Sequence, residues 1–239
     1  MGEKMQTVVV IQNKNYAKFL PYTIESILKQ KVPFDHIIGT DAGSSDESKQ
    51  IYEKMLGEYT EIEESQAGVL NKVLVSVMGD YDEFLFSWIN SDDMYMPNFV
   101  QSHLEYFKRN PDAEIVCSRA MYCVAETGKT WIHGIPDCTR NLEQGENWIC
   151  QPTAMIKSSV FDKIGIFNST IKYAFDFEFW LRAKKAGIKF GFIPDVTVFY
   201  RVHSHSLTAL YHEDIMQETR GIVIRKSEKN SDYQKHSKG

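Results

Sequence analysis

The chain has 239 residues, of which 43% are hydrophobic and 13% aromatic, enough to build one large domain around a substantial core. Its formal net charge of −5, with no basic stripe, argues against a nucleic-acid-binding protein. The four cysteines show no zinc or Cys-x-x-Cys spacing, the amino terminus leads straight into a strand pattern, and no apolar run reaches about 20 residues. We therefore expect a soluble cytoplasmic protein with reduced thiols.

Strand and helix patterns alternate four times within the first 110 residues. The predicted strands are Thr7–Ile11, His36–Gly39, Thr60–Glu63 and Phe84–Ile89. The predicted helices are Pro21–Gln30, Glu47–Leu56, Val69–Val77 and Asn98–Asn110. This alternation is typical of an α/β fold, a single Rossmann-like, mostly parallel sheet flanked by helices. Right-handed crossovers place the polar loops 12–15, 41–46 and 90–93 along one edge of the sheet.

The stretch Phe84–Ile89 is apolar and aromatic, which is typical of a strand buried on both faces. It ends in Asn90-Ser91-Asp92-Asp93, at the position where open α/β sheets bind their ligands. Adjacent carboxylates repel each other unless a cation lies between them, and a divalent metal that carries a diphosphate meets this need. The alternative is that Ser91, Asp92 and Asp93 are ordinary turn and cap residues.

The second half has shorter elements and begins with a predicted hairpin. Its predicted strands are Ile115–Tyr122, Lys129–Ile132, Thr153–Ile156, Ile188–Ile193 and Thr197–Val202, and its predicted helices are Ser159–Ile164, Tyr173–Ala186 and Leu207–Arg225. We predict one domain over 1–225, with a nucleotide-sugar half at about 1–110 and an acceptor and catalytic half at about 111–225. A polar tail at 226–239 is predicted to be disordered.

Several short motifs stand in a fixed order along the chain. They are Gln12-Asn13-Lys14-Asn15, Asp41-Ala42-Gly43-Ser44-Ser45-Asp46, Gln66-Ala67 with Asn71-Lys72, Trp88-Ile89-Asn90-Ser91-Asp92-Asp93, Gln151-Pro152, Gly165-x-Phe167, Asp176-x-Glu178-x-Trp180-Leu181-Arg182 and Tyr200-Arg201-x-His203. In this order they resemble the family 2 glycosyltransferases, nucleotide-sugar-dependent enzymes of the GT-A fold, and more narrowly the bacterial cell-surface polysaccharide branch. The segment Asn90-Ser91-Asp92-Asp93 is similar to that branch's version of the Asp-x-Asp motif.

The departures from the family pattern lie on the nucleotide side. Gln12 stands where the family has Pro, Asn13 and Lys14 where it has Thr or Ser and Tyr, Gly68 where it has Asp and Val73 where it has Gly. They leave the choice of nucleotide open.

The resemblance implies a metal site that stabilises the charge growing on the leaving diphosphate. Asp92 is the first candidate ligand, Asp93 lies beside it, and the family has a histidine at the position of His203. Hard oxygen ligands suit Mn²⁺ or Mg²⁺. The alternative for His203 is a solvent-facing loop histidine.

The resemblance also implies a nucleotide site, in which Asp41 accepts a hydrogen bond from a base N–H. Asn13 and Asn15 line the same pocket, and the remaining nucleotide-binding candidates are Gln66, Asn71, Lys72, Asn90 and Ser91. The alternatives are a turn-forming Asp41 and a solvated surface Lys72.

The acceptor hydroxyl must lose a proton as it attacks, and Asp176 is the candidate general base. Its aromatic surroundings raise a carboxylate pKa, whereas the start of a helix opposes that effect. The alternative is a helix N-cap aspartate, with Glu178 as the next candidate base. Trp131, Trp148 and Gln151 are candidates for acceptor contact by position alone.

We therefore predict a metal-assisted, inverting glycosyltransferase that uses a UDP-, GDP- or dTDP-sugar, with one plausible base and no covalent nucleophile. Its acceptor is a glycan or lipid-linked glycan of a growing surface polysaccharide, which also allows contact with the inner face of the plasma membrane. A sugar-1-phosphate nucleotidyltransferase is a weaker alternative, because Gln12–Tyr16 lacks a Gly-rich basic loop. A catalytically silent nucleotide-sugar-binding protein also stays open.

Overall fold

The computed structural model describes residues 5–236, with side chains over 5–224. The strands are β1 (Gln6–Asn13), β2 (His36–Asp41), β3 (Thr60–Glu61), β4 (Phe84–Asn90), β5 (Met94–Tyr95), β6 (Ile115–Val124), β7 (Thr130–His133), β8 (Met155–Lys157) and β9 (Phe190–Val202). The helices are α1 (Leu20–Leu28), α2 (Ser48–Leu56), α3 (Gln66–Asp80), α4 (Phe99–Arg109), α5 (Ser158–Ile164), α6 (Phe175–Lys185), α7 (Leu207–Leu210) and α8 (His212–His236). Within this described part, the strands form one sheet in the order β3-β2-β1-β4-β8-β6-β9-β5, and β7 pairs with β6.

The first half is a parallel βα unit of the predicted kind. Strand β1 pairs in parallel with both β2 and β4, so the three polar strand ends meet at one edge of the sheet. Val8–Ile11 of β1 are fully buried, and so are nearly all side chains of β4, because helices cover both faces. The predicted mostly parallel α/β sheet is confirmed.

The second half adds antiparallel neighbours to this sheet. Strand β8 lies between β4 and β6 and is antiparallel to both, and β6 and β7 form the predicted hairpin. Two predictions were wrong in detail. One continuous strand, β9, replaces the two expected at 188–202, and the short strand β5, which was not predicted, pairs with it. Register shifts at Ser118–Arg119 let β6 follow β9 along its whole length.

An aromatic core joins β4 to helix α6 and thereby fixes the start of that helix. Trp88 of β4 stacks on Trp180 of α6 with ring centroids 5.9 Å apart, and Phe167 packs edge-on against Trp88 at 5.0 Å. Each pair of this kind contributes about 0.5–1.5 kcal/mol beyond the burial of its area. The carboxyl end of β4 and the first turn of α6 are therefore held close together.

Several helix ends differ from their predicted positions. Helix α3 begins at Gln66 rather than Val69, because the Ser65 hydroxyl caps it by accepting from the Gly68 N–H at 3.2 Å. Helix α8 runs to His236 instead of ending at Arg225 and takes in most of the segment predicted as a tail. The amino-terminal residues 1–4 and the last residues 237–239, for which sequence predictions were also made, lie outside the described residues.

Candidate active site

Two cavities open at the edge of the sheet where β1, β2 and β4 end. The first has a volume of about 500 Å³ and contains Asp92 and the loop after β1; the second has about 360 Å³ and contains Asp176 and Gln151. They share a wall made of Gln66, Asn90, Tyr200, Leu207 and Thr208. The cavities thus meet beside the end of the central strand β4.

Asp92 lies in the first cavity and contacts a histidine from the far end of the chain. Its Oδ2 is 3.1 Å from Nε2 of His203, and its Oδ1 has no partner among the described residues. Arg201 Nε donates to the backbone oxygen of Asp92 at 2.9 Å. His203 is only 5% exposed and packs against the rings of Tyr16 and Phe19, so it is not the solvent-facing loop histidine of the alternative.

Asp93 lies behind Asp92 rather than in the cavity. It is 1% exposed, its Oδ1 accepts the Arg201 backbone N–H at 2.9 Å, and its Oδ2 is buried without a partner among the described residues. Burial and the nearby charge of Asp92 raise the pKa of Asp93 well above its usual value. Thr23 of α1 also donates to the Asp93 backbone oxygen at 2.6 Å. These contacts hold the turn that presents Asp92.

A divalent cation bound at Asp92 and His203 would need further ligands from a bound diphosphate or from water. Among the described residues, no three His, Cys, Asp or Glu side chains come together as a metal site of their own. Asp92 and His203 supply two adjacent donors beside an open cavity. Mg²⁺ typically binds through one or two carboxylates together with substrate phosphates and water, so this donor set is compatible with such an ion.

Asp41 lies behind the first cavity, with both carboxylate oxygens bonded to protein. Asn13 Nδ2 and the Ser44 hydroxyl donate to Oδ2 at 2.8 and 2.7 Å, and the Ser44 N–H donates to Oδ1 at 2.7 Å. The Ser91 hydroxyl donates to Asn13 Oδ1 at 2.6 Å. Asp41 and Ser91 are fully buried, so they hold Asn13 in position and do not line the cavity.

Four other predicted nucleotide-side residues do line the first cavity. Asn15 has φ of 57°, a conformation that asparagine tolerates better than most residues, and its Oδ1 accepts the Ser45 N–H at 2.8 Å. Asn13, Gln66 and Asn90 form the adjoining wall, and Gln66 Nε2 donates to Asn90 Oδ1 at 3.3 Å.

Asn71 and Lys72 lie outside the lining of both cavities. The Asn71 side chain donates to the Phe167 carbonyl at 2.8 Å and accepts its N–H at 3.0 Å, which ties α3 to the segment before α6. Lys72 pairs with Glu64 at 2.7 Å and is 58% exposed. In this structure Asn71 has a structural role and Lys72 lies on the surface.

Asp176 lies in the first turn of α6 and lines the second cavity. The N-cap of α6 is Ala174, so Asp176 is not the capping residue of the alternative. Burial raises its pKa to about 6, partly opposed by the backbone N–H groups of Asp176 and Phe177. A carboxylate with such a pKa is ionised at neutral pH and is suited to accepting a proton.

The sequence analysis did not predict two parts of the site. One is the set of α7 and α8 residues that line the two cavities, and the other is Tyr16. Helix α7, the residue between α7 and α8, and the first two turns of α8 contribute to the cavity linings, with Leu207, Thr208, Leu210, Tyr211, Ile215, Met216 and Thr219. The Tyr16 hydroxyl donates to the His205 carbonyl at 2.9 Å, and burial together with Asp92 and Asp93 raises its pKa to about 12. The signal for Tyr16 was its position, directly after the polar loop that ends β1.

The family comparison agrees with this geometry. The family model described as Glycosyl transferase family 2 matches residues 8–165, which include most of β1, all of β2 to β8 and the Asn90–Asp93 turn. The chain belongs to this family. As a family 2 glycosyltransferase it is 24% identical over 215 residues to an uncharacterized glycosyltransferase of Rickettsia typhi, and 23% identical over 215 residues to one of Methanocaldococcus jannaschii. The alignments cover 84% of this chain, and 65% and 72% of those relatives.

Solved structures share the GT-A fold of this family 2 glycosyltransferase. The crystal structure of S. aureus TarS 1–349 in complex with UDP-GlcNAc superposes with a TM-score of 0.70 at 16% identity, covering 91% of this chain and 65% of TarS 1–349. The same protein in complex with UDP superposes with a TM-score of 0.65 at 17% identity. The chain therefore spans about two thirds of the length of TarS 1–349 and of its Rickettsia relative.

In the part of the chain that the structure describes, none of the helices combines the length and the apolar content needed to cross a bilayer.

Proposed function

We propose that this chain transfers a sugar from a nucleotide-diphosphate sugar to an acceptor hydroxyl. The observation that carries the proposal is a pair of adjoining cavities that share Asn90 and Tyr200 as a common wall. One is lined by Asp92, which contacts His203, and the other is lined by Asp176. Donor and acceptor bound on the two sides of this wall would have their reacting atoms near the end of β4. Family membership supports the same reaction class.

The first cavity is the proposed donor site. Asn13, Asn15, Gln66 and Asn90 supply polar groups for the nucleotide, and Asp92 with His203 would hold Mn²⁺ or Mg²⁺. The ion, when bound, would offset the negative charge that develops on the leaving diphosphate. The likeness to TarS bound to UDP-GlcNAc and to UDP supports a uridine diphosphate sugar as the first donor to test.

The second cavity is the proposed acceptor site, with Asp176 as general base. As the acceptor oxygen forms its bond to the anomeric carbon, its proton passes to the Asp176 carboxylate, and the electron pair of the breaking bond leaves with the diphosphate. A single displacement of this kind inverts the anomeric configuration. Among the described residues, Asp176 is the one carboxylate that lines this cavity, and this supports the assignment.

The acceptor class that fits best is a glycan or lipid-linked glycan of a surface polysaccharide, met at the cytoplasmic face of the membrane. The sugar-1-phosphate nucleotidyltransferase alternative is less well supported, because the segment Gln12–Tyr16, which lines the donor cavity at the end of β1, has no glycine and only one basic residue, Lys14. A silent nucleotide-sugar-binding protein would share the donor cavity but would have no use for a base in the second one.

The test is a panel of UDP-, GDP- and dTDP-sugars with Mn²⁺, followed by measurement of released nucleotide and of the sugar product. A transferase releases nucleoside diphosphate, and more of it when a glycan acceptor is added. A silent protein binds one of the donors by calorimetry without turnover. A nucleotidyltransferase instead consumes nucleoside triphosphate and a sugar phosphate and releases pyrophosphate, which would contradict the proposal.

A further inference from the structure

Three aromatic side chains lie side by side across three neighbouring strands of the second half. Tyr122 of β6 is in register with Tyr200 of β9 and with Trp131 of β7. The Tyr122 and Tyr200 rings are stacked with centroids 4.4 Å apart, and those of Tyr122 and Trp131 are 5.3 Å apart. We call Tyr200, Tyr122 and Trp131 the aromatic row.

The aromatic row runs from the wall between the two cavities to the protein surface. Tyr200 belongs to the shared wall, Tyr122 lines the second cavity, and Trp131 at the outer end is 41% exposed. The row therefore gives the second cavity an aromatic floor that continues outside it.

A histidine and a second tryptophan extend this floor beside the row. His133 lines the second cavity with its ring centroid 5.0 Å from that of Tyr122, and burial lowers its pKa so that the ring is neutral at neutral pH. Trp148 stacks on His133 at 5.8 Å, and its Nε1 donates to Glu146 at 3.2 Å. His133 is thus in ring contact with both Tyr122 and Trp148.

Hairpin stability alone does not account for this arrangement. Cross-strand aromatic pairs do stabilise sheets, by about 0.2–1 kcal/mol each. Yet a purely structural row would have no reason to lead into a cavity that is also lined by polar groups, namely Asp176, Gln151 and Asn90. Aromatic faces beside a few placed polar groups are the composition of a small-molecule site.

The chemistry of this surface matches a pyranose ring. Such a ring presents a face of C–H groups, which packs on an aromatic ring, and hydroxyl groups at its edge, which bond to carboxylates and amides. The second cavity, with about 360 Å³, is at the small end of the roughly 300–1,000 Å³ usual for ligand sites. With the reacting sugar ring in this cavity, Trp131 at the exposed end of the aromatic row is the next aromatic face available to a further sugar of the acceptor.

We propose that the acceptor is a glycan of at least two sugar rings, with its reacting ring over Tyr122 and His133 and the preceding ring on the exposed face of Trp131. This deepens the proposed function and rests on it, since Asp176, which lines the same cavity, would take the proton of the reacting hydroxyl. Trp131 is then a residue that determines acceptor length, and it takes no part in donor binding.

The test compares the binding of single sugars with that of matched disaccharides. The probes are the methyl glycosides of glucose, galactose, mannose and N-acetylglucosamine and the corresponding methyl disaccharides, titrated by saturation-transfer NMR in the presence of UDP and the diamagnetic ion Mg²⁺. For one sugar type, the disaccharide should bind about tenfold more tightly than the monosaccharide. Trp131→Ala should remove this advantage while leaving monosaccharide binding unchanged, and Trp131→Phe should keep most of it.

Ile132→Ala is the matched control, because Ile132 is the neighbouring residue of β7, is 58% exposed and points to the opposite face of the strand. It should leave the disaccharide advantage intact. The subsite is overturned if no probe sugar binds, if mono- and disaccharides bind equally, or if Trp131→Ala keeps the preference. Because the readout is binding, a protein that binds disaccharides through Trp131 but releases no nucleotide would refute the proposed transfer and leave the subsite standing.

Discussion

Asp176 and Glu178 are two residues apart on helix α6, yet their carboxylates lie in different surroundings. Asp176 lines the second cavity, whereas Glu178 is buried against Arg182 at 3.1 Å. The same guanidinium donates to the carbonyl oxygens of the segment that precedes α6, at Ile164, Gly165 and Ile166. Glu178 therefore pairs with the arginine that binds the 164–166 segment, whereas Asp176 is the carboxylate in position to act on a ligand in the second cavity.

The first prediction is that Asp176→Asn lowers kcat by about 10²–10⁴, because the amide keeps the size of the side chain but cannot accept a proton. Donor affinity should hardly change, since the first cavity does not include this residue. The measurement is steady-state turnover together with calorimetry of donor binding. Turnover near that of the wild-type protein would remove Asp176 from the mechanism.

The second prediction concerns Glu178→Gln, which serves as the matched control on the same helix. Loss of the charge partner of Arg182 should lower the free energy of unfolding by about 1.5–3 kcal/mol. At a temperature where the variant is folded, kcat should stay within a few-fold of the wild-type value. A loss of turnover as large as that of Asp176→Asn, in a protein with an unchanged melting curve, would assign the base role to Glu178 instead.

The third prediction is a pH dependence. Since the pKa of Asp176 is about 6 in the folded protein and 3.8 for an exposed carboxyl, the folded state holds this proton more tightly than the unfolded state. Its ionisation therefore destabilises the fold as pH rises from about 4 to 6, by roughly 2–3 kcal/mol in total. Asp176→Asn should be more stable than the wild-type protein at pH 7.5, and the difference should vanish near pH 4.

Urea unfolding at the two pH values measures this difference in stability, and the same ionisation should appear in the kinetics. The wild-type kcat/KM should fall as pH drops through about 6, because the base becomes protonated. Equal stability of the two proteins at both pH values would show that Asp176 ionises like an exposed carboxyl.

The fourth prediction is that UDP binds more tightly with Mn²⁺ than with EDTA, and that Asp92→Ala removes most of the difference. The reason is that Asp92 and His203 are adjacent donors at the cavity where the diphosphate is proposed to lie. Asp195→Ala, which removes an exposed carboxylate of β9, is the control and should behave like the wild-type protein. Calorimetry that finds equal affinities with and without Mn²⁺ would argue against the metal site.

The fifth prediction separates two roles for Asp41. As a support for Asn13, Asp41 should be needed for stability, and Asp41→Ala should cost roughly 3 kcal/mol or more because buried donors of Asn13 and Ser44 lose their partner. UDP and GDP affinities should then weaken by the same factor. If Asp41 instead reads the base, as the family resemblance implies, the two affinities should change by different factors in a protein that melts near the wild-type temperature.

Local sequence patterns were sufficient for the parallel half of the fold and for the position of Asp92 after the end of β4. Buried parallel strands are apolar runs that end in polar loops, and crossover handedness then brings those ends together whatever the remaining chain does. Asn71 shows where this reasoning fails. Its motif pointed to the cleft, but its partner is Phe167, and no local pattern reports a contact between residues so far apart along the chain.

The same limit applies to the second half. Strand β8 has three residues and takes its place between β4 and β6 through pairing on both sides, not through its own pattern. The apparent break between the two strands predicted at 188–202 is an irregularity within β9, where residues 194, 195 and 197 have no partner in the register with β6. The contribution of α7 to the cavities likewise depends on packing between distant segments.

Strand β9 passes beside both cavities in a single run of thirteen residues, Phe190–Val202. Tyr200 faces the two cavities at once, and the next residue, Arg201, holds the turn that presents Asp92. With donor and acceptor in the two cavities, as proposed, a substitution there would disturb the recognition of both substrates together. The β6–β7 hairpin and the 137–149 loop border the second cavity alone. If that cavity is the acceptor site, as proposed, new acceptor preferences would arise most easily through changes in these two segments, while the residues of the proposed donor cavity are inherited unchanged.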